Sequence, residues 1–269
     1  MGKICRTVAE VCTTILMLEL LMHPGEGSFA SCDLYENHNS FSHHRELKQQ
    51  TNFSQYIWDN AIDLLPQARN TTFISGVLHG DLNPNFYGDY VLQDSIYCRI
   101  VAQLWTELAN YEAADEEVRA YANDSISGFQ DCSVQLFDRW SIKDDGEDSY
   151  GVLVEDPVKE YTTYINETMI AYPPNALIAT YACLKLWNNL TNELWEIVKD
   201  ETSNPYRVWV NENRDDGSSA RRQATQMDEW DSKYQWYDWS EGLSLFRSAM
   251  MNEINFFNHA GNSSKYLSV

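Results

Sequence analysis

Basic residues are scarce in this chain. Nineteen Lys and Arg stand against 40 Asp and Glu, a formal charge of −21 over 269 residues. That deficit excludes non-specific binding to nucleic acid or to an anionic membrane, since both need a basic surface. Histidine is scarce too, six in all, and no H-E-x-x-H pair occurs, which disfavours a zinc hydrolase. There is no G-x-G-x-x-G, no P-loop and no G-x-S-x-G, so the phosphate cradles of nucleotide folds and the serine-hydrolase elbow are missing. No hairpin dipeptide sits between alternating apolar runs, so strand signals are nearly absent. After residue 30 no apolar run reaches the roughly 20 residues of a membrane span. What is present forms a core: 43% of the residues are hydrophobic and 13% aromatic, too many for a disordered polyanion.

The first thirty residues read as a secretory leader. Lys3 and Arg6 precede the apolar run from Val11 to Met22, interrupted by Glu19, and small residues follow at Ser28 and Ala30. Charged start, short apolar middle and small residues predict cleavage after Ala30 and export. Six N-x-[ST] sequons, at Asn52, Asn70, Asn123, Asn166, Asn189 and Asn262, are expected glycan sites on an exported chain. Cys5 and Cys12 leave with the leader, so Cys32, Cys98, Cys132 and Cys183 remain. Four cysteines outside the cell allow two disulfides in three connectivities.

Residues 31–48 are polar and aperiodic, which predicts an irregular arm. Its adjacent His43 and His44 read as solvated side chains, so no metal is expected. Residues 49–260 form one helical domain and 261–269 a tail. Apolar residues recur at helical spacing from Phe53 to Leu65, with a break at Pro66, and then over 83–110, 113–140, 156–171, 174–199 and 235–260. The fold class is all-α, a single-domain bundle of seven or eight helices. The acidic stretch Lys143–Asp148 and residues 211–222 read as loops; the first lacks the ligand spacing of an EF-hand.

Three polar groups fall on apolar helix faces. Tyr90, Asp94 and Tyr97 stand at i, i+4 and i+7 and share a face. Glu253 lies among aromatics, with Phe256 at i+3 and Phe246 at i−7. Cys183 sits mid-helix, one turn before Trp187. A satisfied core Asp and a small core Cys explain these as well as a reactive site does, and spacing alone leaves both readings open.

The ordered motifs resemble the TenA/thiaminase II family, which has a haem-oxygenase-like helical fold. Phe73 to Leu82 (FISGVLHGDL) is similar to the family's F-x-x-G-x-x-x-G-x-L, and Tyr90 to Tyr97 (YVLQDSIY) to its Y-x-x-Q-D-x-x-Y helix. Tyr161 to Tyr164 resembles its Y-T-x-Y stretch, and Ala182-Cys183 falls where it has a P-C nucleophile. Asn204 to Trp209 resembles its N-P-Y-x-x-W, and Glu253 with Phe256 its terminal E-x-x-F. The resemblance implies that Asp94 pairs with an aminopyrimidine edge and Cys183 adds to the ring. Glu253 then serves as acid–base. It also implies that Tyr90, Tyr97, Tyr161, Trp187 and Phe256 bind the substrate, with no cofactor.

Three departures stand out: Ala182 replaces the family's Pro, Trp187 its Tyr, and Asn213 the Tyr four residues after Trp209. The function expected is a secreted thiaminase-like enzyme acting on thiamin or a related aminopyrimidine, as a possible homo-oligomer. After leader cleavage no membrane partner is expected. The alternative is a non-catalytic acidic secreted glycoprotein, of a matrix or mineral or a carrier of small ligands. For the cysteines, a short connection near 111–113 makes the helices on either side antiparallel neighbours. Cys98 and Cys132 are then offset by roughly 10 Å, a gap closed if the second helix starts late. The expected disulfide is Cys98–Cys132, with Cys183 free.

Overall fold

The structure, a computed structural model, describes residues 51–139 and 153–260, with residues 135–139 by backbone alone. The expected leader and arm, with Cys32, His43 and His44, lie outside the described residues. So do the stretch Lys143–Asp148 and the tail with Asn262.

Among the described residues there are ten α-helices and no strand. The order is α1 (Phe53–Asp59), α2 (Leu65–Arg69), α3 (Thr72–His79), α4 (Pro84–Ala109), α5 (Glu116–Arg139), α6 (Asp156–Ala171), α7 (Ala176–Val198), α8 (Arg207–Asn213), α9 (Ser218–Tyr234) and α10 (Trp239–Ala260). Short 3-10 turns, Ile62–Leu64 and Pro173–Asn175, lead into α2 and α7. Pro66 does mark a break, because it sits in the first turn of α2, where its missing N–H costs nothing.

The helix count exceeds the expected seven or eight: the short α2 and α3 add to it, and so do α8 and α9 at 207–234. The polar run 211–222 is not one loop: α8 ends at Asn213 and α9 begins at Ser218. Only Arg214 to Gly217 separates them, and Gly217 takes a left-handed φ of 73°. Asp215 and Asp216 there accept hydrogen bonds from the Gly217 and Ser218 amides, at 2.8 and 2.9 Å. Polar composition signals this turn, while α9 is held by an apolar stripe of Ala220, Met227 and Trp230.

α4 starts where Pro84 follows Asn83, whose side chain accepts the Asn85 amide at 2.9 Å. It pairs along its length with α5. α7 is buried from Ala176 to Ala182, the pattern of a central helix. α10 lies against it and also meets α1, α3, α4 and α6. Phe246 is fully buried beside Trp58 and Tyr181. It fills the core instead of surrounding Glu253.

Two glycines fix the approach of α3 to its neighbours. A Cβ on Gly76 would stand 2.9 Å from the Leu82 Cβ, so only glycine lets the chain fold back there. Gly80 ends α3 in the left-handed conformation, φ 73°. The amide of Asn204 then donates to the α3 carbonyls of Val77 and Leu78, at 3.0 and 3.1 Å. The Tyr206 hydroxyl donates to Leu82 O at 2.6 Å. The segment 204–209 thereby closes the open end of α3 and sets Trp209 on the aromatic cluster of α4.

Candidate active site

A cavity of about 290 Å³ lies between α4, α5, α7, the α8–α9 stretch and α10. Asp94, Cys183 and Glu253 all line it, as do Tyr90, Tyr97, Trp187 and Phe256. Residues 94, 183 and 253 are remote in sequence; three helices bring them to one wall. Tyr161 stands behind that wall, its ring stacked on Tyr97 at 5.1 Å.

Aromatic rings shape the inner end. Tyr90 lies 5.0 Å from Phe256 and 6.2 Å from Trp187, and Trp187 meets Trp209 edge-on at 5.6 Å. Such a box suits a flat heterocycle.

The ionisable groups are strongly perturbed. Asp94 makes no hydrogen bond or ion pair among the described residues, and burial raises its pKa to about 7. An unpaired carboxyl facing a cavity is costly in the empty protein and leaves both oxygens open to a ligand. Glu253 is 6% exposed. Burial and then the Asp94 charge push it up to about 8, while hydrogen bonds from Tyr161 and Cys183 pull it back toward ionisation. The Tyr161 hydroxyl also reaches Ala179 O, at a long 3.5 Å.

Burial also raises the Cys183 thiol, with the Glu253 and Asp94 carboxylates adding to the effect. Tyr97 acts the other way on that sulfur, favouring its thiolate. Its own hydroxyl is buried and completes no hydrogen bond of ordinary geometry, which leaves it available to the thiol or a ligand. Cys183 is therefore a protonated thiol at rest, beside a carboxyl that titrates near neutrality and can take its proton.

Cys98 and Cys132, the expected disulfide pair, are both thiols here with sulfurs 2.6 Å apart. α5 begins at Glu116, later than the expected 113; this late start shortens the axial offset between them. Both line the cavity near Cys183. Among the described residues no group of three His, Cys, Asp or Glu is arranged to hold a metal ion.

The side of the cavity formed by α5, α9 and the end of α4 was not legible in the sequence. It is lined by Trp105 of α4, Tyr121, Asp124 and Asp131 of α5, and Ser219, Arg222 and Gln223 of α9. One signal existed: positions 219, 222 and 223 are spaced i, i+3, i+4 on one helix face, within a stretch whose composition reads as loop. Trp209 and Asn213 line the cavity too, and the Asn213 amide bonds back to Trp209 O at 2.8 Å.

No protein-family model matches the chain, and no curated protein matches it. Solved structures do match. A TenA homologue from P. horikoshii OT3 superposes with a TM-score of 0.62 at 15% identity, covering 78% of this chain and 98% of its own. A TenA family transcription regulator from Silicibacter sp. TM1040 gives 0.61 at 16% identity, covering 78% and 97%. At such identities it is the fold that is shared, and this chain has the all-helical fold of the TenA proteins.

Proposed function

We propose that the chain is a secreted enzyme that cleaves thiamin or a related aminopyrimidine, with Cys183 as nucleophile. The observation that supports this best is the unpartnered Asp94 carboxyl in the cavity that also holds Cys183 and Glu253. An aminopyrimidine offers an amino donor next to a ring nitrogen. Asp94 accepts a hydrogen bond from the amino group with one oxygen and, in its protonated form, which its raised pKa populates near neutrality, donates to the ring nitrogen with the other. Tyr90, Trp187 and Phe256 enclose the ring.

The reaction then runs in two halves. Glu253, in its ionised fraction, takes the Cys183 proton, and the thiolate forms a C–S bond at an electron-poor ring carbon. The ring accepts the electron pair and a proton from Glu253. It next expels the leaving heterocycle from the methylene carbon; that heterocycle's cationic nitrogen takes the C–N electron pair and leaves neutral. Water adds to the exposed methylene and loses a proton to Glu253; the C–S bond then breaks, the thiolate departs, and the ring gives up the proton it had accepted, which restores the Cys183 thiol while Glu253 releases its own to solvent. The net change is cation plus water to alcohol, neutral heterocycle and a proton. Nothing is oxidised. Tyr97 and Tyr161 steady the thiolate and the carboxylate in turn.

Secretion rests on the leader and the sequons. Asn52, Asn70 and Asn123 are exposed, as glycan carriers must be.

Titration with the neutral alcohol 4-amino-5-hydroxymethyl-2-methylpyrimidine tests the binding half of this reading. Saturable quenching of tryptophan fluorescence is expected, because Trp187 and Trp209 line the cavity. Asp94→Ala should weaken it by about tenfold or more, because it removes both the acceptor for the amino group and the donor to the ring nitrogen. Equal binding by both proteins would remove Asp94 from the site.

A further inference from the structure

Gln223 of α9 is 3% exposed and lines the cavity, yet half of its amide is unused. Its Nε2 donates to Leu177 O and, at 2.9 Å, to Thr180 Oγ1. The Thr180 hydroxyl gives its own proton to Ala176 O, at 2.8 Å, so it can only accept from Gln223. Both partners on α7 therefore demand N–H, which fixes the end of the amide that faces that helix. The Oε1 end faces away from it. That oxygen accepts no hydrogen bond among the described residues and keeps accessible surface. A buried acceptor open to a cavity calls for a donor from something that enters.

Thr180 and Cys183 stand three residues apart on α7, neighbours with about 5–6 Å between Cβ atoms. Gln223 is docked on the first, and the Glu253 carboxyl accepts from the second. One water making two ordinary hydrogen bonds spans oxygens about 4.5–5.5 Å apart. Ser219, one turn before Gln223, adds a hydroxyl to the same lining, whereas Tyr90, Trp187 and Phe256 offer rings.

We propose that Gln223 holds the water that attacks in the second half of the reaction. Its Oε1 accepts one O–H while the other points to Glu253. The water oxygen forms its bond to the methylene carbon, whose π electrons move into the ring. One proton passes to Glu253; the other remains on the product hydroxyl, bonded to Gln223. Nothing is oxidised. The inference rests on the thiamin-cleaving reading and adds the residue that makes water the incoming nucleophile.

Gln223→Met keeps the length of the side chain and removes the acceptor. Full-length native and variant proteins are compared on thiamin in two readouts. In a single turnover with enzyme in excess, release of the free heterocycle should stay within about twofold of native, because water attacks after it. In steady state with added aniline, an amine that is unprotonated near neutrality, water and the amine compete for the methylene. The ratio of amine adduct to pyrimidine alcohol should rise at least about fivefold in the variant. A residue that merely supports the fold would slow both halves and leave that ratio alone. If Gln223→Met does not fold, Thr180→Val, which removes the hydroxyl that orients the amide, should move the ratio in the same direction. Heterocycle release that falls as far as alcohol formation, or an unmoved product ratio, overturns the inference and leaves the cleavage reading standing. Thiamin left intact by the native protein overturns both.

Discussion

The Glu253 carboxyl on α10 and the Asp94 carboxyl on α4 share one desolvated cavity, and the charge of Asp94 raises the cost of ionising Glu253. Two buried acids without a cation between them are a poor choice for stability alone. They make sense where a ligand supplies the missing positive charge and donors.

That arrangement sets a pH dependence of folding. Both folded pKa values are raised, to about 7 and about 8, above 3.8 and 4.5. The folded state therefore holds protons that the unfolded chain releases. Stability from these groups is fully present below about pH 4 and is lost as pH rises through 7 to 8. Thermal melts should show Tm falling between pH 5 and pH 8.5, as the unfolding free energy drops by an amount on the order of a few kcal/mol. Asp94→Asn/Glu253→Gln should flatten that slope, and an unchanged slope would falsify the burial of the pair.

The wall that carries Asp94, Cys183 and Glu253 was largely legible in the sequence, and the side formed by α5 and α9 was not. Tyr90, Asp94 and Tyr97 share a face because one helix spaces them so, and local periodicity reveals that. Cys183 and Glu253 lie on other helices, and only the order of motifs linked them to Asp94. Phe246 shows the limit: seven residues before Glu253, it stays on a similar face yet turns into the core against Tyr181. α9 was hidden by the run of Asn, Asp, Gly and Ser before it. Its place depends on long-range contacts, among them Gln223 donating to Thr180 Oγ1 at 2.9 Å.

The two thiols in contact make a second prediction. Cys98 and Cys132 should be oxidised to one disulfide in protein recovered from an oxidising medium, clamping α4 to α5, with Cys183 left as thiol. Non-reducing peptide mapping reads this directly. A bridge that includes Cys183 contradicts the nucleophile.

Asn204 ties the segment 204–209 to the end of α3. Asn204→Ala leaves two α3 carbonyls without that donor and removes the bond to the Tyr206 amide, 2.8 Å. A loss of about 1–3 kcal/mol is expected, with weaker ligand binding because Trp209 shifts. Urea denaturation measures it, and a loss within error shows that the segment is held by other contacts.

Glycan occupancy should divide the sequons by burial. Asn52, Asn70 and Asn123 are exposed, whereas Asn189 lies within α7 with its side-chain oxygen buried and unpartnered. Glycopeptide mass spectrometry should find the first three occupied and Asn189 bare. A glycan on Asn189 would contradict the burial of its side chain in α7.

The central claim is that Cys183, Glu253 and Asp94 form a working site. The most direct measurement follows intact thiamin by chromatography during incubation with the purified protein, beside Cys183→Ser at equal concentration. The account predicts that the native chain converts thiamin to the pyrimidine alcohol and the free heterocycle. The serine variant should be slower by at least about a thousandfold while still binding the neutral alcohol with native affinity. Thiamin that stays intact with the native protein, or loss at the same rate with the variant, contradicts it.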